Sequence, residues 1–341
     1  MMDISIPYYE DLTRISNSNI GWFLQKGPAY LHKMLTDPPP EDKNPVLERG
    51  SLIHMYLLQP EEFRNTYVVW DKSRLTSVQQ EKFCQELAQT LEIEPNKAIL
   101  SAYKAAYSIK GKSEENMLLE GQKIASTLKD YIDYLKDPER KQMINPWDYQ
   151  MLKKIRNNIQ SHKLANKILW PLSTWGYEQD GTYTSDAVNA WHEFHINWSY
   201  EGKIKCKSLL DSLTLDFKNK KATIMDLKTT AKLWHFEDSI EMYDYLRQLD
   251  YYSMAVRWYL VNECGVTEDE IFEWKFEYYI IGIDTTGSNE IRVFKIDQSM
   301  VSSRDETIMN ALDAITWHQK NNKWDHSRAY YEGDGSETLN L

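Results

Sequence analysis

Cysteine is scarce. Cys84, Cys206 and Cys264 are the three thiols in 341 residues, odd in number and far apart. That pattern excludes a disulfide framework and a four-thiolate zinc or iron–sulfur centre, and it predicts reduced thiols in a cytosolic compartment. Long apolar runs are missing too, so no segment reads as a membrane span. Met1 to Leu12 has no basic stretch followed by an apolar run, which predicts no signal peptide. A phosphate-cradling loop is also lacking. Lys110-Gly111-Lys112-Ser113 comes nearest, but Ala106 stands where such a loop needs glycine and no strand precedes it, which excludes an ATP site there. Nor is there an excess of positive charge, since 40 Lys and Arg face 51 Asp and Glu, for a net charge of −11. A non-specific nucleic-acid binder gains affinity by neutralising phosphates, so any such function has to rest on a local patch. Lys203, Lys205, Lys207, Lys218, Lys220 and Lys221 form one candidate. Lys153, Lys154, Arg156, Lys163 and Lys167, on one predicted helix, form another. Internal repeats, low-complexity tracts and long linkers are absent, which predicts one domain over residues 1–320 and a polar tail over 321–341.

What is present is a mixed α/β pattern with 42% hydrophobic residues, enough to fill a core. Twelve Trp and 22 Tyr are many for this length; most such rings fill cores, and some are candidates to stack on bases or cover apolar grooves. Asn44-Pro45 predicts a helix start whose apolar run, carrying His54, ends before Pro60. Residues 71–145 read as a helical insertion, and a β-rich part follows from about Trp175 to Leu227. Within it Phe194, Ile196 and Trp198 alternate with Glu193, His195 and Asn197. Asp238 with Glu241 predicts a capping box opening one long helix to about Glu263, with Gly265 as its stop. Strands are expected over Trp274 to Ile283 and Ile291 to Ile296, and a helix over Arg304 to Gln319.

The most informative string is Ile224-Met225-Asp226-Leu227-Lys228-Thr229-Thr230. In an extended strand Asp226 and Lys228 share one face while Leu227 takes the other. Lys203 to Phe217, a polar turn and Ala222 to Leu227 read as strand, turn, strand, so Asp211 and Asp226 fall on neighbouring strands. Two carboxylates and a backbone carbonyl such as that of Leu227 offer the hard oxygen ligands that magnesium takes. Lys228 beside them can orient a water or neutralise charge on a phosphoryl transition state. A half-buried strand ending in a surface ion pair explains the same tripeptide without chemistry. His192 and His195 with Glu193 offer an alternative, transition-metal set.

The chain also carries Gly50-Ser51-Leu52-Ile53-His54, Leu57-Leu58-Gln59-Pro60-Glu61-Glu62-Phe63, Ile15-Ser16-Asn17-Ser18 upstream, Lys205-Cys206-Lys207 before Asp211, and Gln248 with Tyr252. In this order they resemble the motifs of the RecE-type exonucleases, also called exonuclease VIII, of the PD-(D/E)XK nuclease superfamily. The likeness spans residues 8–70 and 170–260. It implies a central mixed sheet flanked by helices and a magnesium-dependent exonuclease, with manganese able to substitute, that degrades one strand of linear double-stranded DNA from the 5′ end. It further implies a ring-shaped homo-oligomer, a RecT-like single-strand annealing partner, and a phage or prophage protein in a bacterial cytosol. By the same resemblance His54, Asp211, Asp226 and the Leu227 carbonyl bind metal, Lys228 is the catalytic lysine, Glu193 lines the centre through water, and Gln248 and Tyr252 form a Q-x-x-x-Y face on a helix. The family's Arg-Pro-Asp is here Leu209-Leu210-Asp211, which leaves Asp216 as a second candidate for the first ligand. Other readings are an endonuclease or single-strand nuclease of the same superfamily, and a catalytically silent DNA-end-binding module.

Overall fold

The computed structural model describes residues 6–40, 44–90, 94–171, 182–184 and 188–336; the expected start of the β-rich part near Trp175 lies outside them. The chain divides into two compact units, residues 64–150 on the one hand and residues 1–63 with 151–341 on the other.

In the smaller unit, β1 (Tyr67–Val69) and β2 (Gln142–Ile144) pair in parallel. Between them run four helices, Val78–Gln89, Pro95–Ala106, Glu114–Thr127 and Lys129–Lys136. Phe83, Cys84, Ala102, Tyr103, Met117 and Leu128 form their common core. Lys112 of the rejected phosphate loop pairs with Glu120 at 2.6 Å, and Ser113 caps the third helix. Both residues are thus accounted for by local structure.

The larger unit is a mixed sheet of β3 (Thr182–Thr184), β4 (Val188–Tyr200), β5 (Ile204–Asp216), β6 (Lys221–Thr230), β7 (Lys275–Asp284) and β8 (Ile291–Ile296) in sequential order. All neighbours are antiparallel except β6 and β7. The parallel pair requires a crossover, which the helix Tyr245–Asn262 supplies while packing on β4, β5 and β6. It is buried on two sides, through Leu249, Val256 and Leu260 on one and Tyr251 and Ala255 on the other. The mixed sheet flanked by helices is the fold the sequence implies.

Two local readings need correction. The single long helix expected from Asp238 is two, Phe236–Met242 and Tyr245–Asn262, because Asp244 turns left-handed at φ 49°. Arg247 at 3.2 Å and Arg304 at 2.8 Å hold its two carboxylate oxygens there. Likewise the basic helix expected over residues 153–167 breaks at His162, whose Nδ1 accepts the Ala165 N–H and starts a separate helix, Lys163–Leu169. Elsewhere the predicted signals act as read: Asn44 accepts the Val46 N–H, and Gly265 at φ 73° closes the crossover helix, with the Val266 N–H donating to Leu260. Within the polar tail, Arg328–Glu332 forms a short helix.

Candidate metal centre

The site is built where the sheet loses its regularity. β4 and β5 meet through a tight turn in which Glu201 and Gly202 both take positive φ, 49° and 65°, the pattern of hairpin turns matched to strand twist. The register it sets pairs His192 with Ser212 and Phe194 with Leu210. Glu193 therefore falls opposite Asp211, and that pair is left out of the ladder. Glu193 takes φ 47°, a conformation sparsely populated by non-glycine residues and one met at functional sites. The residues packed in the main core change parity at this point: Ile196 and Trp198 on β4 and Cys206 and Leu210 on β5 lie on one side of it, Trp191, Leu213 and Leu215 on the other. Strict alternation breaks at Glu193 and Asp211 on both strands.

The next ladder opens at the same level. β5 and β6 pair up to Ser212 and Met225. One step on, where Asp211 would meet Asp226, the Leu227 N–H instead donates to Asp211 Oδ2 at 2.6 Å. Gly50 lets the helix Pro45–Leu58 approach β6, since a Cβ on it would lie 3.2 Å from Thr229 Oγ1. One helical turn later His54 reaches the opening, with Nδ1 3.7 Å from Asp211 Oδ2. Ligand atoms of His54, Glu193 and Asp211 all lie within 4.8 Å of one another. Asp226 stands on the adjacent strand with Oδ2 2.5 Å from Lys228 Nζ, and the Lys228 ammonium lies 4.8 Å from the centre of the Tyr245 ring. Tyr245 is followed on one helix face by Gln248 and Tyr252, and Gln248 Nε2 donates to the Tyr252 hydroxyl at 2.7 Å.

The electrostatics fit a cation. Burial, then Asp211 and Asp226, push the Glu193 carboxyl up to about 8. Burial raises Asp226 to about 6 against the opposing pull of Lys228, and it raises Asp211 as well. Burial and the Lys228 charge lower His54 to about 4, so its imidazole is neutral with a free lone pair at neutral pH. Burial works against the Lys228 ammonium, but the two aspartates outweigh it and raise its pKa. Clustered carboxylates with upward-shifted pKa values, next to a neutral histidine, make a donor set that suits a divalent cation.

Of the residues singled out in the sequence, His54, Glu193, Asp211, Asp226, Leu227 and Lys228 meet here, and burial and the charges of Asp226 and Asp211 act on Tyr252. Glu193 stands within 4.8 Å of the ligand atoms of His54 and Asp211, opposite Asp211 in the register that the Glu201-Gly202 turn sets. Tyr245 carried no signal, because its role depends on the helix break at Asp244. Asp216 lies elsewhere: it accepts from Asn219 in the β5–β6 turn at 2.7 and 3.0 Å. His192 bonds the Leu169 carbonyl and His195 bonds Asn197, so neither joins Glu193. The lysine patch around residues 203–221 is largely neutralised. Lys203, Lys220 and Lys221 pair with Glu201, Glu273 and Glu277, while Lys207 is buried and donates to the Tyr8 and Asp11 carbonyls. Strand alternation alone does not show those partners. Among the described residues no helix is long and apolar enough to cross a membrane.

No curated protein sequence matches the chain. Among solved structures it is similar to a crystal structure from Eubacterium rectale described as "Putative exonuclease", with 12% identity, a TM-score of 0.47, and coverage of 100% of this chain and 95% of that one. The family described as "PDDEXK-like domain of unknown function (DUF3799)" matches residues 16–329, a span that takes in His54, Glu193, Asp211, Asp226 and Lys228. The superfamily read from the motifs is thus the one the match gives, and the chain belongs to this PDDEXK-like family.

Proposed function

We propose that the protein is a RecE-type, divalent-metal-dependent exonuclease that removes nucleotides 5′→3′ from one strand of linear double-stranded DNA and leaves 3′ single strands for recombination by annealing. The observation that carries the reading is the convergence of His54, Glu193 and Asp211 with the Asp226–Lys228 pair at the opened β5–β6 ladder. Magnesium, or manganese in its place, would be held by His54, Glu193, Asp211, Asp226 and the Leu227 carbonyl, and would supply Lewis-acid polarisation of the phosphate and of a water.

The protein's own groups complete the chemistry. In the hydrolysis a water oxygen bonds to phosphorus as the P–O3′ bond breaks, freeing a 5′-phosphorylated nucleotide. Lys228, kept protonated by Asp226 and Asp211, places a fixed positive charge where the phosphoryl oxygens gain negative charge. The Tyr245 ring and Asp226 hold that ammonium from two sides, so little reorganisation is needed at the moment of reaction. Gln248 fixes the Tyr252 hydroxyl, which stays un-ionised and can donate to an anionic substrate oxygen. Processive digestion would follow from a ring-shaped oligomer enclosing the duplex, beside a single-strand annealing partner in a bacterial cytosol.

The test uses linear duplex labelled at the 5′ or the 3′ end, and a closed circle, incubated with wild type, Asp226→Ala and Lys228→Ala, in magnesium and in EDTA. Magnesium-dependent release of the 5′ label by wild type, with both variants slowed at least 10²-fold, is expected. Cleavage of the circle would replace the exonuclease with an endonuclease, and binding of ends without cleavage would replace it with a silent DNA-end-binding module.

A further inference from the structure

From the row of Lys228 the sheet continues to a second cationic position. Lys228 is in register with Gly282 on β7, and Gly282 with Arg292 on β8. Residues in register project to the same face, so Arg292 shares the face of Lys228, two strand spacings or about 10 Å away. The middle of the row is vacant for a reason. A Cβ on Gly282 would lie 2.9 Å from Leu233 Cδ1 and 3.3 Å from Phe294 Cε2, so the glycine lets the segment leaving β6 fold back across the sheet. That segment delivers Trp234, which is 73% exposed, and the Arg292 guanidinium lies 5.0 Å from its ring centre and 5.1 Å from that of Phe294.

Stacked groups link the two cations. Phe294 stacks on Phe236 with centroids 4.9 Å apart, Phe236 on Tyr245 at 6.1 Å, and Tyr245 lies against Lys228. Tyr243, itself 59% exposed, stacks on Tyr245 at 5.7 Å. Among the described residues no carboxylate lies within ion-pair distance of Arg292, whose Nη1 donates only a long bond of 3.4 Å to the Leu233 carbonyl. The exposed indole offers a stacking face, and the half-buried guanidinium beside it, with no carboxylate partner among the described residues, attracts anions at a fixed distance from the candidate centre.

We propose that Trp234 and Arg292 form a binding subsite for an unpaired nucleotide of the DNA strand being cut, with Trp234 stacking on its base and Arg292 meeting its phosphate. This rests on the nuclease reading and adds to it where the strand runs. A base inside a duplex offers no free face to an indole, whereas an unpaired one does. The row from Lys228 to Arg292, about 10 Å long, is one along which a single strand can run from the candidate centre to the Trp234 ring, its backbone meeting a cation at each end.

The inference is tested by fluorescence anisotropy in EDTA, with a labelled oligothymidylate and its abasic counterpart, for wild type, Trp234→Ala, Trp234→Phe, Arg292→Ala and Arg292→Lys. Trp234→Ala is expected to weaken oligothymidylate binding roughly tenfold, Trp234→Phe to stay near wild type, and the abasic strand to discriminate between none of these three. Arg292→Ala is expected to weaken both strands and to lower the salt dependence by about one phosphate contact, with Arg292→Lys restoring most of it. Equal affinity of wild type and Trp234→Ala for oligothymidylate, or equal losses on both strands, overturns the stacking role. If that result comes from a protein that digests linear DNA, the subsite alone falls. If wild type neither binds nor cuts DNA, the nuclease reading falls with it.

Discussion

Glu193→Gln should stabilise the metal-free protein at neutral and alkaline pH. The Glu193 carboxyl is pushed from 4.5 up to about 8 by burial and by Asp211 and Asp226. A carboxyl whose folded pKa lies above its unfolded value binds its proton more tightly in the fold. The fold is therefore unaffected below pH 4.5 and is progressively destabilised as pH rises towards about 8. Each pH unit in that window costs about 1.4 kcal/mol, so the gap of about 2.5 units up to pH 7 corresponds to roughly 3 kcal/mol, an upper figure because water screens part of it. Glutamine keeps the shape and removes the ionisation. In EDTA at pH 7 the variant should melt about 4–6 °C above wild type, at about 2 °C per kcal/mol for a chain of this size, with a larger gap at pH 8 and none at pH 4.5. In excess magnesium or manganese the order should reverse, because wild type gains a ligand that the variant lacks. Scanning calorimetry across that pH range decides it. A variant no more stable than wild type at pH 8 in EDTA would refute the claim that Glu193 faces the two aspartates in a buried site.

The same shifts require that metal binding at pH 7 release close to one proton, chiefly from Glu193, and that affinity rise from pH 6 to 8. Titration calorimetry in two buffers of different ionisation enthalpy measures this, and zero release would count against ligation by Glu193. Gly50→Ala should lower metal affinity at least fivefold by pushing the His54 helix off Thr229, and Thr229→Ala added to it should recover most of the loss; a Gly50→Ala protein with wild-type affinity would show that the close approach does not seat His54. Asp244→Ala should cost about 2 kcal/mol in urea denaturation, from lost charge-assisted hydrogen bonds and left-handed backbone strain. Asp244→Gly, free of the strain, should lose less, and equal losses would dismiss the backbone contribution.

How much of this was legible in the sequence depends on which physical rule governs each residue. Asp226, Leu227 and Lys228 obey period-2 alternation in a strand, and Asp211 sits one hairpin away, so both could be placed from spacing. The helix carrying His54 announced itself through Asn44 and Pro45. Gly50 stands in the sequence as part of the Gly50–His54 motif, but its physical reason, a contact with Thr229 179 positions away in the chain, does not show there. Glu193 is legible as a residue of its strand, but its orientation is not, since a face switch at φ 47° breaks the alternation from which a strand is read. The lysines failed in the opposite direction. Lys207 looked like a surface cation, yet its ammonium is buried against the Tyr8 and Asp11 carbonyls, partners contributed by a segment nearly 200 residues earlier. Helix continuity through Tyr243 and Asp244 failed because Arg304, far along the chain, stabilises a left-handed residue that local propensity disfavours.

Charge accounting explains why the site has this composition. Three carboxylates, from Glu193, Asp211 and Asp226, face one ammonium from Lys228, and His54 is neutral at physiological pH. Fully ionised, the cluster carries two uncompensated negative charges in a buried place, which is why burial and mutual repulsion push both carboxyls up, Asp226 to about 6 and Glu193 to about 8, so that Glu193 holds its proton near neutral pH. One divalent cation would cancel that charge, whereas a monovalent ion would leave half of it. The lysine is necessary to the same balance: without Lys228 three charges would remain, and Asp226 would lose the partner that keeps its carboxylate ionised near neutral pH. Lys228→Met should accordingly raise the Asp226 pKa further and move the onset of metal binding to higher pH. A mere loss of rate with unchanged metal affinity across pH would instead assign the lysine to substrate charge alone.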